Sequence, residues 1–428
     1  MGMTAEQKRQ KALEVISRKD NGRLLTYLNS CVHCGLCAES CIFYLTTKDP
    51  KYIPARKVDL VASVYRRYNT LTGKLVPGLT GARELDGDTI KEMIDILYGA
   101  CTMCGRCTIH CSIGIDIADV VRAGRSMLAT MDLVPATLQS TVMAAIETGN
   151  NMAIPTEDLV DTIKWLEEDL QFELDDQNAA IPLDEPGKKI IYTLNPREPK
   201  FFPLSISAMA KVFYMAGESW TLSTEMYDVT NYAYFSGDDT LAAEIVNRLE
   251  EVTLKLGAGK VVLAECGHGS RAFRWEGPNY IHRRYLFEVV TSIELLKEYI
   301  DTGRIKPDKS KNKRRVTLHD PCNLVRGGGI MKQQRDILNS CVTDFVEMTP
   351  CGNDNYCCGG GGGQLSMSEY NERRMSAGRI KADQIRATGA EIVVTPCHNC
   401  VDQLIQINQA YKLNVQIKTM AEIVADAL

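Results

Sequence analysis

Four cysteines spaced CxxCxxCxxxC occur twice in this chain, as Cys31, Cys34, Cys37 and Cys41 and again as Cys101, Cys104, Cys107 and Cys111. Thiols at these intervals restrict the fold severely, because each run must wrap a short loop around a common centre. In such a run three thiolates hold one [4Fe-4S] cube and the fourth reaches over to a second cube. Two runs therefore read as a reciprocal pair. Cys31, Cys34, Cys37 and Cys111 are expected on one cube, and Cys101, Cys104, Cys107 and Cys41 on the other. Small residues beside the thiols (Gly35, Ala38, Gly105 and Ser112) suit loops of this kind.

Zinc and disulfides fit less well. Zinc takes four ligands in a closed tetrahedron, usually as two separated pairs, whereas three cysteines at CxxCxxC plus a fourth suit a cube. The first twenty residues, MGMTAEQKRQKALEVISRKD, hold no apolar signal core, so an oxidising compartment and a disulfide framework are not expected. One departure from ferredoxin runs is visible. Ile42 and Ser112 stand where a proline usually follows the last cysteine, which alters the local turn and leaves the ligand count intact.

At 428 residues the chain is long enough for two or three domains, each with its own core. Its 49 basic and 54 acidic side chains are near balance, which argues against nucleic acid as a partner; the one basic block, Lys309 to Arg315, reads as a solvated linker before a strand. No apolar stretch reaches the length of a membrane span, so a membrane role requires a separate subunit.

Apolar spacing predicts a helix over residues 1–30 (Leu13, Ile16, Leu24, Leu25, Leu28), another around Arg56, Val58, Leu60, Val61 and Val64, a loop from Thr72 to Gly87, and a helix from Thr89 to Tyr98. Helices continue over 117–175, and Leu174 to Gly187 reads as a linker. Beyond it come short β-branched runs at Lys189–Thr193, Lys260–Leu263, Arg315–Leu318 and Glu391–Val394, each followed by a loop and a helical pattern. That alternation implies parallel strands in an α/β region. The region also repeats itself: Thr193-Leu194-Asn195-Pro196 answers Thr317-Leu318-His319-Asp320-Pro321, Tyr234-Phe235-Ser236-Gly237 answers Tyr356-Cys357-Cys358-Gly359, and Glu265-Cys266-Gly267-His268-Gly269 answers Pro396-Cys397-His398-Asn399-Cys400. The expected architecture is an α-helical ferredoxin-like domain (1–130), a helical linker (131–187) and two pseudo-repeated α/β halves with parallel strands (188–305 and 306–428). The cysteines are not duplicated with the framework.

Cys322, the adjacent pair Cys357-Cys358 before Gly359, and the CxxC of Cys397 and Cys400 form the third set. Adjacent cysteines serve a single tetrahedral metal poorly but can bridge irons of a larger cluster. On these residues the chain resembles the D-type branch of the heterodisulfide-reductase family, from Cys31 to the C-terminus. Within that family it is most similar to the K-type subunit of the sulfite-reduction-linked membrane complex and the B-type subunit of transmembrane cytochrome complexes. The resemblance implies a non-cubane [4Fe-4S] cluster held by Cys322, Cys357, Cys358, Cys397 and Cys400, beside the two cubanes. It departs in two places: the first half lacks the five cysteines, and Asn323 follows Cys322 where many relatives have His.

The expectation is thus a cytoplasmic iron–sulfur subunit, peripheral to the membrane, that passes electrons through two cubanes to a site reducing or oxidising a disulfide or trisulfide. Its partners would be a cytochrome b-type or quinone-linked subunit and a thiol substrate, including a small sulfur-carrier protein. His319 and His398 are candidate proton donors at that site; His33 and His110 read as loop side chains. Cys266 and His268 lie in the emptied half, where a ligand, a relic or a core role stays open, and Cys341 and Cys351 read as buried structural cysteines. The glycines Gly359 to Gly363 are read as letting backbone approach the cluster and donate N–H groups to sulfur, not as a phosphate cradle. Two rivals remain: an electron-conducting subunit of a flavin-dependent 2-hydroxy acid or glycerol-3-phosphate dehydrogenase, and a subunit of a soluble bifurcating complex such as benzoyl-CoA reductase.

Overall fold

A computed structural model describes residues 3–17 and 22–428. It divides into two compact units. The first comprises residues 1–140, Tyr232–Asp239 and Tyr356–Lys381; the second comprises Thr141–Asn231, Thr240–Asn355 and Ala382–Leu428.

The first unit is helical. Where one helix was expected over residues 1–30, two are found, Ala5–Ser17 and Gly22–Ser30; residues 1–2 and 18–21 lie outside the described residues. Helix Pro54–Asn69 opens on a proline, whose missing N–H costs nothing in a first turn, and buries Val58, Leu60, Val61 and Val64. Helix Ile117–Thr130 is capped by Asp116, which accepts from the Asp119 N–H at 3.1 Å, and buries Val120, Val121, Met127 and Leu128. Gly124 in this helix permits close approach, since a Cβ there would lie 2.6 Å from Leu97 and 2.9 Å from Val61. The segment expected as a loop, Thr72 to Gly87, contains two short helices, Leu71–Leu75 and Pro77–Thr80, started by the Thr70 cap and by Pro77. Gly87–Met93 is α-helical and loosens into a π-turn over Ile94–Tyr98.

Arg125, on the inner face of helix Ile117–Thr130, is completely buried. Its guanidinium donates to the carbonyls of Leu97 (3.0 and 2.8 Å), Cys101 (2.8 Å), Phe235 (2.5 Å) and Gly362 (2.8 Å). Phe235 and Gly362 belong to the answering loops of the two sequence repeats, so both halves of the chain contribute one loop to this unit. Those loops share a backbone conformation: Gly237 and Gly359 occupy matching positions with φ of 92° and 100°.

The second unit holds two four-stranded parallel sheets. Strands β1 (Ile190–Tyr192), β2 (Trp220–Thr221), β3 (Lys260–Leu263) and β4 (Glu288–Thr291) run in the order β2-β1-β3-β4. Strands β5 (Val316–Leu318), β6 (Phe345–Val346), β7 (Ile392–Val394) and β8 (Gln416–Lys418) repeat it as β6-β5-β7-β8. The repeat extends to capping. Thr291 and Thr419 each form a capping box, with Glu294 and Glu422, at the start of the helix that follows β4 or β8. Helix Leu204–Met215 packs on helix Met420–Asp426, and Ser292–Asp301 packs on Lys332–Cys341. First and last helices are thus exchanged between halves, the arrangement expected of a pseudo-twofold, and one apolar core runs through both sheets. The four strands expected from the sequence are the central ones, β1, β3, β5 and β7. The four edge strands were missed because they are short or only half-buried. No helix among the described residues is long and apolar enough to cross a membrane.

Removing the Arg125 guanidinium strands several buried carbonyls, each costing about 1–3 kcal/mol. Arg125→Met is therefore expected to lower unfolding free energy by at least about 3 kcal/mol, measured by anaerobic urea titration; a loss within about 1 kcal/mol, on the scale of ordinary surface substitutions, would show that the hub is dispensable.

Candidate metal centres

The eight cysteines of the paired runs gather in the first unit around two cavities of similar size. Cys31, Cys34, Cys37 and Cys111 line one of ≈ 360 Å³; Cys41, Cys101, Cys104 and Cys107 line another of ≈ 390 Å³. The loops that deliver them share one backbone design. His33 and Met103, each just before the second cysteine, have φ of 56° and 53°, and Gly35 and Gly105, just after it, have φ of 81° and 73°. The glycines turn the chain so that the third cysteine re-enters the cavity at the start of a short helix. Four sulfurs around each cavity suit the donor set of an iron–sulfur cube. Burial raises the Cys37 and Cys107 thiols above their ordinary value, so a thiolate at either place calls for a cation nearby.

The surroundings of the two cavities differ. Ala55, Val58, Ile113 and Ile115 wall the first, and Cys34, Val32 and Ile113 of its lining are exposed. His33 lies on this exposed rim, with Nε2 2.8 Å from Asp59; His110 is half-buried. The second cavity is walled by Phe43 and Thr102 and receives Lys57, which is 2% exposed. The Lys57 ammonium donates to the Ala100 carbonyl at 2.6 Å and to Cys41 Sγ at 3.8 Å. Burial would lower its pKa, but the sulfurs of Cys101, Cys41, Cys107 and Cys104 outweigh that and raise it above its ordinary value.

The Cys357-Cys358 loop also belongs to the first unit. Both thiols are buried. Cys357 Sγ lies 3.4 Å from the hydroxyl of Thr102, the residue after Cys101. The Gly359 and Gly360 N–H groups donate to Cys357 and Cys358 sulfurs at 3.4 and 3.5 Å. Gly362 has φ of 63°, and a Cβ there would lie 2.6 Å from the Thr102 carbonyl carbon. The glycine run thus brings backbone close and turns N–H groups to sulfur, as its composition implied.

In the second unit, Cys322 begins helix Cys322–Val325 after β5, and Cys397 caps helix His398–Tyr411 after β7, with Cys400 in its first turn. Strands β5 and β7 are neighbours, so all three cysteines sit at the carboxyl ends of adjacent central strands, where open parallel sheets bind ligands. A hydrogen bond from Cys400 lowers the Cys397 thiol to about 7, helped against burial by the N–H groups of Gly267, Cys400 and Asn399; the Gly267 contact is 3.4 Å. His319 Nδ1 faces the Asn355 amide nitrogen at 3.3 Å. An amide donating there leaves the ring proton on Nε2.

The emptied half meets these residues within the same unit. His398 Nδ1 lies 3.1 Å from the Glu265 carbonyl and Nε2 lies 3.0 Å from the Ser205 hydroxyl. Burial, then Arg197, lowers His398 to about 3, so the ring is neutral. His268 is likewise lowered to about 3 by burial and Arg197 and pairs with the Asn399 amide. Cys266 is buried, caps a short helix through its sulfur, and is raised to about 12 by burial and the nearby Cys397. Cys341 lies in the apolar core, and Cys351 is half-buried.

Residues 27–115 match the family described as 4Fe-4S dicluster domain, and residues 316–405 match the Cysteine-rich domain. The chain is 28% identical to the Hdr-like menaquinol oxidoreductase iron-sulfur subunit 2 of Archaeoglobus fulgidus, over 94% of this chain and 80% of that protein. It is also 28% identical to the D-type subunit of the dihydromethanophenazine:CoB--CoM heterodisulfide reductase of Methanosarcina barkeri, over 94% of this chain and 95% of that one. The chain is thus similar to D-type subunits of heterodisulfide reductase and to Hdr-like iron–sulfur subunits along nearly its whole length. With EtfAB:quinone oxidoreductase of Syntrophomonas wolfei it shares 26% identity, over 88% of this chain and 54% of that protein. It is an iron–sulfur electron-transfer subunit of an Hdr-like oxidoreductase, carrying a 4Fe-4S and a cysteine-rich module.

Sequence reading missed Lys57, Thr102 and Arg125. Lys57 sits beside Arg56 in an amphipathic pattern and looks like a solvated face; Arg125 likewise resembles a surface arginine of a helix. Thr102 carried a usable signal, as the residue between two ligands of one run.

Glu198 and Glu265 are both fully buried in the second unit. Glu265 accepts from the Met420 and Ala421 N–H groups at 2.8 and 2.6 Å, and Glu198 from that of Asn195 at 2.7 Å, yet burial prevails and pushes both up to about 8. Between the ordinary carboxyl value of 4.5 and about 8 the folded chain holds protons that the unfolded chain has released. Their contribution is complete below that window and is lost as pH rises through it. Stability in anaerobic urea titrations is expected to fall between about pH 5 and about pH 8 by a few kcal/mol, and Glu265→Gln to flatten the fall; an unchanged slope in the variant counts against the assignment.

Proposed function

We propose that this chain passes single electrons through two cubane [4Fe-4S] clusters to a non-cubane [4Fe-4S] site where a disulfide or trisulfide bond is cleaved or formed. Cys31, Cys34, Cys37 and Cys111 hold one cubane, and Cys101, Cys104, Cys107 and Cys41 the other. Cys322, Cys357, Cys358, Cys397 and Cys400 hold the third cluster. When bound, the clusters supply one-electron storage along the row and, at the last site, iron that can take a sulfur atom.

The observation that carries this reading is the 3.4 Å contact between Thr102 and Cys357. It links a residue next to the ligand Cys101 directly to the first cysteine of the Cys-Cys-Gly loop, so the row of sites has a continuous bonded and hydrogen-bonded path at its inner end. At its outer end Cys34 is exposed within an apolar rim, which suits entry of electrons from a membrane cytochrome or quinone-linked partner on the cytoplasmic side.

Reductive cleavage of a disulfide consumes two electrons and two protons and releases two thiols. The electrons come from the partner. His319, with its proton on Nε2, is the proton donor nearest in sequence to Cys322. His398, whose two ring nitrogens face Glu265 and Ser205, serves to hold the Cys397–Cys400 turn. Gly359 and Gly360 direct their N–H groups at the two adjacent sulfurs and favour the anionic form there.

The likeness to EtfAB:quinone oxidoreductase favours a second reading, in which the chain only conducts and a flavin partner does the chemistry. Anaerobic preparation separates the two. Three clusters give about twelve irons per chain and a thiol-induced paramagnetic signal, against about eight irons for two cubanes. Cys357→Ser is expected to abolish disulfide-linked oxidation of the reduced cubanes while both cubane signals stay. Disulfide reduction at the unaltered rate in that variant would sink the site assignment and favour the conducting role.

A further inference from the structure

We infer that Lys57 is the resident counter-ion of the Cys41/Cys101/Cys104/Cys107 site and biases that site, and not its neighbour, towards the electron-bearing state. The inference rests on the proposed two-cubane reading. It follows from the way one helix serves both cavities. Ala55 and Val58 of helix Pro54–Asn69 wall the first, while Lys57 enters the second. Consecutive helical residues point about 100° apart, so Lys57 and Val58 on a single turn serve different cavities. Asp59, one residue further, faces the first cavity's rim through His33 at 2.8 Å.

An ammonium 2% exposed is costly unless an anion completes it. Among the described residues no carboxylate pairs with Lys57. Its contacts are the Ala100 carbonyl at 2.6 Å, Cys41 Sγ at 3.8 Å and the Phe43 ring, whose centroid lies 5.8 Å away. A carbonyl alone does not neutralise it. The four thiolates that ligation demands do, and each electron that the site accepts adds one more negative charge beside the same ammonium. No bond forms or breaks in that step; one electron arrives from the partner donor, or from dithionite in the test. A full charge fixed a few ångströms from a ligand sulfur inside a dry cavity is only weakly screened. Net charge and hydrogen bonds to sulfur are the levers by which protein sets a cluster's potential, and Lys57 applies both at once. The first cavity lacks an equivalent: its lining contains no lysine or arginine, and the nearest charged side chain described at its rim is the Asp59 carboxylate.

The test is a dithionite titration followed by EPR on the full chain with its clusters assembled, comparing wild type with Lys57→Met, Lys57→Gln and Lys57→Arg. The neutral variants are expected to lower the reduced fraction of one cubane signal at least tenfold at fixed ambient potential, about 59 mV for a one-electron couple. The other signal, identified as the one whose shape Cys34→Ser changes, should stay in place. Lys57→Arg should resemble wild type. If Met and Gln variants load both cubanes and neither signal moves, the inference is wrong. If the neutral variants do not load the second cubane, Lys57→Arg decides: loading at the wild-type potential supports the counter-ion role, and failure of Arg as well shows that shape, not charge, is what the site needs. Wild-type protein with fewer than about eight irons and no pair of cubane signals would instead overturn the two-cubane reading itself.

Discussion

One buried guanidinium organises the first unit. Among the described residues no carboxylate pairs with Arg125; carbonyl oxygens from Leu97, Cys101, Phe235 and Gly362 take its place, and the Tyr98 ring lies 4.8 Å beneath it. A planar fork with five donors can bind several carbonyls at once, which an ammonium cannot. Each carbonyl so bound fixes a different loop: the end of the π-turn, the start of the second cysteine run, and one loop from each sequence repeat. The position of Cys101 and the seating of the Cys-Cys-Gly loop are therefore set by the same side chain. Cysteine loops have little regular hydrogen bonding of their own, and an external hub of this sort ties them to the helical frame.

The same economy governs charge. Helix Pro54–Asn69 separates the two cavities and assigns a cation to one and a carboxylate-bonded histidine to the other within three consecutive residues, Lys57 to Asp59. A pair of chemically identical four-sulfur sites thereby becomes a pair of unequal ones. Inequality is useful in a row of sites, because a stored electron then has a preferred position. Here that position adjoins Thr102, whose hydroxyl meets Cys357.

The cysteine runs and the repeat were legible because each depends on covalent spacing. Cys111 lies with Cys31, Cys34 and Cys37, and Cys41 with the second run, around separate cavities. The central strands were legible for a related reason: buried parallel strands are continuous β-branched runs. Edge strands such as Phe345–Val346 carry no such mark, since two half-buried residues are too short a run to stand out. Lys57 and Arg125 were illegible because burial of a charge depends on partners distant in sequence, Ala100 for one and Phe235 and Gly362 for the other. The helical lead-in was read as one element because apolar spacing survives a break between helices when both pack on the same neighbour.

The first repeat keeps the strand order of the second without its cysteines. Where Cys357 and Cys358 stand in one repeat, Phe235 and Ser236 stand in the other, with the Phe235 ring 4.9 Å from Tyr234 and the Ser236 carbonyl accepting from Tyr98 at 2.6 Å. Aromatic packing and a hydrogen bond to backbone restrain that loop. In the second unit the substitution goes further. Glu265 stands where Pro396 stands in the intact repeat; its carbonyl receives the His398 N–H at 2.8 Å, and its side chain ties down the start of helix Met420–Asp426. Gly267, at the place of His398, offers its N–H to the Cys397 sulfur at 3.4 Å, and a Cβ there would lie 3.3 Å from that of Asn323. The half without ligands thus supplies backbone donors and acceptors to the half that has them.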